Sequence, residues 1–151
     1  MALSANRHSA PALPATAFSY PIRVYWEDTD AGGVVYHAQY LCFLERARTE
    51  WVRALGIQQQ SLRDSDDLVL AVRDMNIDFL KPARLDDLLQ VTVVLAERRS
   101  ASFLVEQELF RDNQCLLRAR ARIACLHASS FKPRRLPGWM LADPTPEETP
   151  R

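Results

Sequence analysis

The sequence predicts an α+β fold, in which a curved antiparallel sheet of about five strands wraps around one long helix. One helical pattern of apolar residues occurs in the first half of the chain, and every later apolar pattern is strand-like. Short polar connections join the later patterns, as in antiparallel hairpins. Helix and strands are therefore segregated along the chain, which favours α+β over alternating βαβ units. At 151 residues the chain has the size of one domain.

The first two predicted elements are a short strand at residues 21–26 and a helix at residues 40–55. The strand would place Ile22, Val24 and Trp26 on one face. The helix has one apolar stripe, formed by Tyr40, Leu44, Ala47, Trp51 and Leu55. Gly56 stands just after the predicted helix end, where a residue without Cβ adopts a positive φ at little cost.

Four strand patterns follow the helix, at residues 68–80, 88–96, 102–110 and 115–127. In the first of them Met75, Ile77 and Phe79 alternate with polar residues, and Pro82 then marks a turn. In the last, apolar residues alternate with Arg118, Arg120 and Arg122. Because neighbouring side chains on a strand point to opposite faces, the sheet is expected to have one apolar and one strongly basic face.

The two ends of the chain differ in composition from its middle. Residues 1–18 are rich in Ala, Ser and Pro without apolar periodicity, which predicts a disordered N-terminal extension. Residues 19–135 form the predicted domain, and residues 136–151 a proline-rich C-terminal tail. Leu136, Trp139 and Met140 are the side chains of this tail suited to docking on the domain.

Charge and cysteine content exclude several classes of function. The 19 basic and 19 acidic residues give a net charge of +0, which argues against a nucleic-acid-binding protein. The three cysteines lack zinc-type spacing and suggest free thiols in a reducing compartment. No apolar run approaches the roughly 18 residues of a membrane span, and no secretory signal is found. These features predict a cytoplasmic protein.

Polar residues concentrate in the segment EDTDAGGVVYH, residues 27–37, between the first strand and the helix. Asp28, Asp30 and His37 could bind a metal, but their spacing matches no recognised pattern. Asp28 and Asp30 could form a glycosidase-like pair, and Gly32 with Gly33 a phosphate cradle, although the P-loop lysine is missing. The aspartates could instead only cap the helix or form Asx turns. The local pattern leaves these alternatives open.

A longer run, VYWEDTDAGGVVYHAQYLCFLERARTEWVRALG, resembles the signature of hotdog-fold thioesterases of the 4-hydroxybenzoyl-CoA thioesterase family. It is most similar to the YbgC-like branch, which is associated with the bacterial Tol-Pal system. The segment KPARLDD and the strands after it resemble that branch as well, so that the resemblance covers residues 20–135. It implies the hotdog fold and hydrolysis of acyl-CoA thioesters.

The resemblance also implies roles for individual residues. Asp30 matches the catalytic carboxylate, which would attack the thioester carbonyl or activate a water that does so. Gly32 and Gly33 would let the backbone approach the substrate. The helix would begin near His37, whose backbone N–H would stabilise the oxyanion. The side chains of His37 and Tyr36 would either orient the substrate or Asp30, or simply pack.

Other residues of the motif are expected to support the site. Asp28 would hold the loop, while Glu45 and Arg48 are three apart on the helix and would pair within it or across a subunit interface. The resemblance implies a homodimer or homotetramer with active sites between chains. Acyl carrier protein is a further candidate partner, and the Tol-Pal association implies a cytoplasmic protein that can lie at the inner membrane.

Coenzyme A enters only as part of the substrate, and the resemblance implies neither a metal nor a redox cofactor. The phosphates of coenzyme A require cations, for which the candidates are Lys81, Arg84, Arg98 and Arg99, besides the basic face of the last strand. Two other functions stay open. The domain could be a binding module for acyl carrier protein or an envelope-associated enzyme, with weak hydrolysis. It could also be a hotdog dehydratase, although His37 is the one histidine near the motif.

Overall fold

The computed structural model describes residues 17–141. Most of the predicted N-terminal extension, residues 1–16, lies outside the described residues, and so does the end of the predicted tail, residues 142–151. Within the described part, no helix has both the length and the apolarity required to cross a bilayer.

Five antiparallel strands form one sheet in the order β1-β3-β4-β5-β2, so that β1 and β2 are its edges. In chain order the elements are β1 Phe18–Arg23, α1 Gln39–Ala54, α2 Gln59–Asp66, β2 Leu68–Phe79, β3 Leu88–Arg98, β4 Ser102–Arg111 and β5 Gln114–His127. The predicted α+β class and strand number are confirmed. Register shifts interrupt the β2–β5, β3–β4 and β4–β5 pairings, and such bulges bend strands, which lets the sheet curve around α1.

Helix α1 packs its apolar stripe into the core, as predicted. Tyr40, Leu44, Ala47 and Trp51 are buried, whereas the predicted Leu55 is 51% exposed because the helix ends at Ala54. The buried surface of α1 is wider than the stripe, since it also includes Phe43, Arg48 and Val52. Gly56 has φ +81°, and its N–H donates to Arg53 O at 2.9 Å, which is the expected helix ending.

The second helix was not predicted from the sequence. Helix α2 is eight residues long, and Leu62 is its one buried residue. A helix this short with one apolar anchor shows no periodic stripe, so the pattern that revealed α1 is absent. Asp67 ends it in the left-handed conformation, with φ 49°.

The first strand lies earlier than predicted. It spans Phe18–Arg23, and Trp26 instead begins a 3₁₀ turn, Trp26–Asp28, with 82% of its surface exposed. The prediction that Trp26 shares a strand face with Ile22 and Val24 is therefore wrong. Asp28 N–H donates to Tyr25 O at 3.0 Å and folds the chain back before the strand can reach Trp26. Pro21 is accommodated because β1 is an edge strand.

The sheet face opposite α1 carries alternating rows of charge. Arg118 and Arg120 lie there as predicted, but β4 places acidic residues directly opposite them. Arg118 Nε is 3.2 Å from Glu108, and Arg120 Nη2 is 3.3 Å from Glu106. The face is therefore compensated rather than basic, which removes its main attraction for phosphate groups.

The segment after β5 packs back on the sheet. Leu136, Met140 and Leu141 are buried, whereas Trp139 is 65% exposed. Arg98, at the end of β3, fixes this segment: its Nε donates to Met140 O at 3.1 Å and its Nη2 to Pro137 O at 3.0 Å. At least this part of the predicted tail belongs to the packed body.

The Asp67 carboxylate, at the end of α2, joins this helix to the end of β5. Ser129 N–H and Oγ both donate to Asp67 at 2.8 Å, and His127 Nδ1 lies 3.4 Å from the same carboxylate. These Ser129 bonds, aided by His127, hold the pKa of Asp67 below its ordinary value. A carboxyl with a lowered folded-state pKa stabilises the fold above its unfolded pKa, and loses that effect as the pH falls through the folded value.

We expect Asp67→Asn to melt at a lower temperature than wild type at pH 7. The difference should shrink as the pH falls through the lowered pKa of the wild-type carboxyl, because that carboxyl is then protonated as well. Thermal unfolding of both proteins between pH 7 and about pH 2 checks this. A difference of the same size across that range would show that the charge of Asp67 is irrelevant.

Candidate active site

Asp30 occupies the first position of a tight turn in a small hairpin before α1. Gly33 N–H donates to Asp30 O at 3.0 Å, and Asp30 N–H donates to Val34 O at 2.9 Å. Gly33 has φ +77°, a conformation that favours glycine. The hairpin docks on the segment between β2 and β3, because Val35 N–H donates to Ala83 O at 2.9 Å. The backbone of Asp30 is thus held from both sides.

The Asp30 side chain makes an Asx turn and is otherwise open. Its Oδ1 accepts from Gly32 N–H at 2.8 Å, so that the purely local alternative is partly correct. Within residues 17–141, no hydrogen bond reaches Oδ2, and the residue is exposed. A Cβ on Gly32 would lie 3.0 Å from Asp30 Oδ1, and a larger residue would therefore push the carboxylate away. One oxygen is fixed and the other is available for chemistry.

Backbone N–H groups lie open at the start of α1. The helix begins at Gln39, two residues later than the predicted start near His37, and residues 37 and 38 form a turn that leads into it. Gln39 N–H donates to Tyr36 O at 2.8 Å. Among the described residues, no acceptor is found for the N–H groups of His37 and Ala38. They are the first donors at the positive end of the helix dipole, which suits an anionic oxygen.

Asp28 is a buried structural carboxylate. It is 2% exposed, and its Oδ2 accepts from Tyr25 N–H at 2.8 Å while its Oδ1 accepts from Gln39 Nε2 at 2.8 Å. Tyr36 N–H donates to its backbone oxygen at 2.9 Å. Both carboxylate oxygens are therefore engaged, and Asp28 is unsuited to the glycosidase-like pair. Within residues 17–141, no three His, Cys, Asp or Glu side chains cluster as metal ligands.

A cleft of about 270 Å³ opens beside His37. It is lined by Val35, His37, Tyr40, Phe79, Leu80, Lys81 and Pro82. At its base the Tyr40 hydroxyl accepts from Ala83 N–H at 2.9 Å. Burial raises the pKa of Tyr40, and the negative charges of Asp87 and Asp30 contribute to the rise. Val35, in the second arm of the Asp30 hairpin, lines the cleft, so the hairpin and the cleft belong to one region.

Tyr36 and His37 are both exposed, and His37 lines the cleft. Their rings lie 4.6 Å apart between centroids, at 59° to each other. Neither ring is packed in the core, since Tyr36 is 48% exposed and His37 is exposed as well. Both rings are therefore accessible from solvent beside the residues whose backbone N–H groups have no acceptor in the described part of the chain.

Glu45 and Arg48 form an ion pair within α1, as one of the two predicted alternatives has it. Arg48 is 7% exposed, and its Nη1 also donates to Gln107 Oε1 at 2.9 Å. Gln107 in turn donates to Leu44 O at 3.1 Å. This network lies in the middle of α1, whereas the Asp30 hairpin precedes the helix, and it stabilises the packing of the helix on β4.

The four predicted phosphate-binding cations fall at two ends of the subunit. Lys81 lines the cleft, and Arg84 pairs with Val34 of the hairpin through an isolated β-bridge. Arg98 and Arg99 lie at the far end of β3, about 33 Å from its start. Arg98 is used by the C-terminal segment, and Arg99 Nε lies 2.5 Å from Glu97. Within one subunit, only the first two cations are near Asp30.

Residues 24–143 match the model of the thioesterase-like superfamily. The chain belongs to this family. It is 48% identical over 120 residues to the acyl-CoA thioesterase YbgC of Haemophilus influenzae, covering 80% of this chain and 88% of the relative. It is 41% identical over 129 residues to the acyl-CoA thioester hydrolase YbgC of Escherichia coli, covering 85% and 96%.

The fold has been observed in a related crystal structure. A probable thioesterase from Bartonella henselae superimposes with a TM-score of 0.77 at 38% identity, covering 80% of this chain and 99% of that one. Together these similarities confirm the predicted hotdog fold, the YbgC-like branch and the enzyme class, a thioester hydrolase.

Proposed function

We propose that this protein hydrolyses acyl-CoA thioesters to a free acid and coenzyme A, with Asp30 as the reacting carboxylate. The observation that carries the proposal is the arrangement of one small hairpin. Among residues 17–141, no hydrogen bond reaches Oδ2 of Asp30 at the start of the turn, and the second arm leads into the N–H groups of His37 and Ala38, which have no acceptor there. A nucleophile or base and an oxyanion donor are thereby held on one rigid unit.

Two routes use these groups equally well. Asp30 Oδ2 can attack the carbonyl carbon, expelling the coenzyme A thiolate and leaving an anhydride that water then hydrolyses. Alternatively it takes a proton from a water that attacks the same carbon, and the thiolate again leaves. In both routes the carbonyl oxygen becomes negative, and the His37 N–H stabilises it. Such a donor typically contributes about 3 kcal/mol to lowering the barrier.

Phosphate binding is assigned to the cations near the hairpin. Lys81 is exposed and lines the cleft, and Arg84 is exposed and bridges to Val34 of the hairpin, so both are suited to the phosphates of coenzyme A. Arg98 and Arg99 would reach the same substrate only from a second copy of the chain. Tyr36 and His37 would contact the substrate between these cations and Asp30.

Assembly into a homodimer or homotetramer completes this proposal. Strand β2 is a 12-residue edge of the sheet, and among the described residues it pairs with β5 on one side and with no strand on the other. Phe79, at its end, is 54% exposed, and Leu80 just beyond is 48% exposed. A long, partly apolar edge readily pairs with another strand. Pairing of two β2 edges would cover both side chains and enclose the cleft.

Hydrolysis of thioesters by the wild-type protein tests the activity and identifies the carrier. Free thiol release is followed for acyl-CoA from short to long chains, and for the same acyl groups on acyl carrier protein. We expect turnover of acyl-CoA, with a chain-length optimum. Binding of acyl carrier protein without turnover of any thioester would favour the binding-module alternative. Hydration of an enoyl-CoA would favour a dehydratase.

A further inference from the structure

We infer that Gln39 is a positioning residue, whose carboxamide sets the Asp30 hairpin against the first turn of α1 by hydrogen bonding to Asp28. The inference rests on the proposed function and extends it to a residue that contacts neither substrate nor reacting atoms. Gln39 is the first residue of α1 and lies eleven positions after Asp28.

Gln39 joins the helix to both arms of the hairpin. Its side-chain Nε2 donates to Asp28 Oδ1 at 2.8 Å, next to the first arm. Its backbone N–H donates to Tyr36 O at 2.8 Å, at the end of the second arm. Within residues 17–141, no other α1 side chain hydrogen-bonds to Asp28. The amide is therefore the side-chain link between the helix and the start of the loop that carries Asp30.

The bond has a strong physical reason to form. Asp28 is 2% exposed, and no arginine or lysine is paired with it among the described residues. A buried carboxylate without a cation depends on hydrogen-bond donors, and losing one leaves an oxygen unsatisfied. Only Tyr25 N–H, on the second oxygen, would remain. Asp28 would then move toward water and take its hairpin arm with it.

Movement of that arm would misalign the reacting groups. The Asp28 to Tyr36 backbone bond is the rung next to the one between Asp30 and Val34. A shift of Asp28 therefore changes the position of Asp30 relative to the N–H of His37. Displacement of a reacting group by about 1 Å can lower a rate by as much as a hundredfold. Substrate binding through Lys81, Arg84 and the cleft would change much less.

The test uses Gln39→Met, which keeps the length of the side chain and removes its donor. Thioester hydrolysis is measured for wild type and variant in the full-length protein, with the melting temperature and the oligomeric size of each. We expect kcat to fall by about tenfold or more, and KM to change by less than about threefold. A change in KM with kcat unaltered would overturn the inference, since it would place Gln39 in substrate binding.

Gln60→Met is the matched control. It also breaks a glutamine-to-carboxylate bond on a helix, from Gln60 Nε2 to Asp64 at 2.9 Å. This bond lies on α2, which follows the C-terminal end of α1, whereas Gln39 and the hairpin lie at the N-terminal end, about 24 Å along the helix. Gln60→Met should leave kcat unchanged. A second variant, Gln39→Lys, retains an N–H donor for Asp28 and should stay within about threefold of wild type. It keeps the test decisive if Gln39→Met folds poorly. A Lys variant as slow as the Met variant would contradict the role given to the donor.

A double-mutant cycle with Asp28→Asn separates action through Asp28 from any other effect. If Gln39 acts through Asp28, the double variant is no slower than the slower single variant. If the rate reduction of the double variant equals the product of the two single reductions, the two residues act independently and the inference is overturned. A wild type without any thioesterase activity would overturn the proposed function and this inference with it. An active wild type with an equally active Gln39→Met would overturn the inference alone.

Discussion

Asp30→Asn is expected to reduce kcat for thioester hydrolysis by a hundredfold or more, about 3 kcal/mol of barrier. The substitution removes the charge that attacks or deprotonates, since an amide is a poor nucleophile and a poor base. It preserves the local structure, because the asparagine side-chain oxygen can still accept from Gly32 N–H. The loss therefore measures chemistry rather than a change in the turn. The rate of free thiol release at saturating acyl-CoA checks it.

Asp64→Asn provides the control for Asp30→Asn. Asp64 is an exposed carboxylate on α2, where it accepts from Gln60 in a similar local hydrogen bond. Its substitution should leave kcat within about twofold of wild type. Both variants should keep the melting temperature and oligomeric size of the wild type. If Asp30→Asn were as active as Asp64→Asn, the carboxylate would have no part in the reaction.

The fold was largely predictable because its main signals are periodic. The apolar stripe of α1 and the alternation along β5 depend only on the spacing of side chains, and both lie within a residue or two of their predicted bounds. Helix α2 was missed because Leu62 alone anchors it. Trp26 was misplaced because a hydrogen-bonded turn at Asp28 ends the extended segment, and no apolar pattern shows where such a turn begins.

The site was only partly predictable, because its connections join distant positions. The residues of the hairpin are close together in the sequence, so a turn at the glycines after Asp30 could be expected from the sequence. The bond from Gln39 to Asp28 spans eleven residues and depends on how the helix is placed, and the sequence shows no pattern for it. The compensation of Arg118 by Glu108 likewise depends on strand register. A basic row read from one strand therefore overstated the charge of the face.

Gln107→Leu is expected to lower the free energy of unfolding by about 2–4 kcal/mol. Gln107 is 1% exposed and supplies an acceptor to Arg48, which is 7% exposed. Leucine has a similar volume, so the packing is kept while the guanidinium loses a buried partner. Glu45 stays paired with Arg48, but its side chain is 59% exposed and compensates only in part. Urea unfolding at one fixed protein concentration measures the change.

The double variant Gln107→Leu/Arg48→Met distinguishes an unpaired buried charge from a loss of packing. Replacing both partners by apolar side chains removes the charge that would be left alone, and we expect it to be more stable than Gln107→Leu. Glu50→Gln, which breaks the exposed pair between Glu50 and Arg53 on the same helix, should cost less than about 0.5 kcal/mol. The double variant could instead be less stable than Gln107→Leu. In that case the packing of Arg48 and its pairing with Glu45 would add more to the free energy of unfolding than its unpaired charge removes. The Arg48–Gln107 network lies on α1, as Gln39 does. If the network only stabilises the fold, kcat should be unchanged in every one of these variants that remains folded.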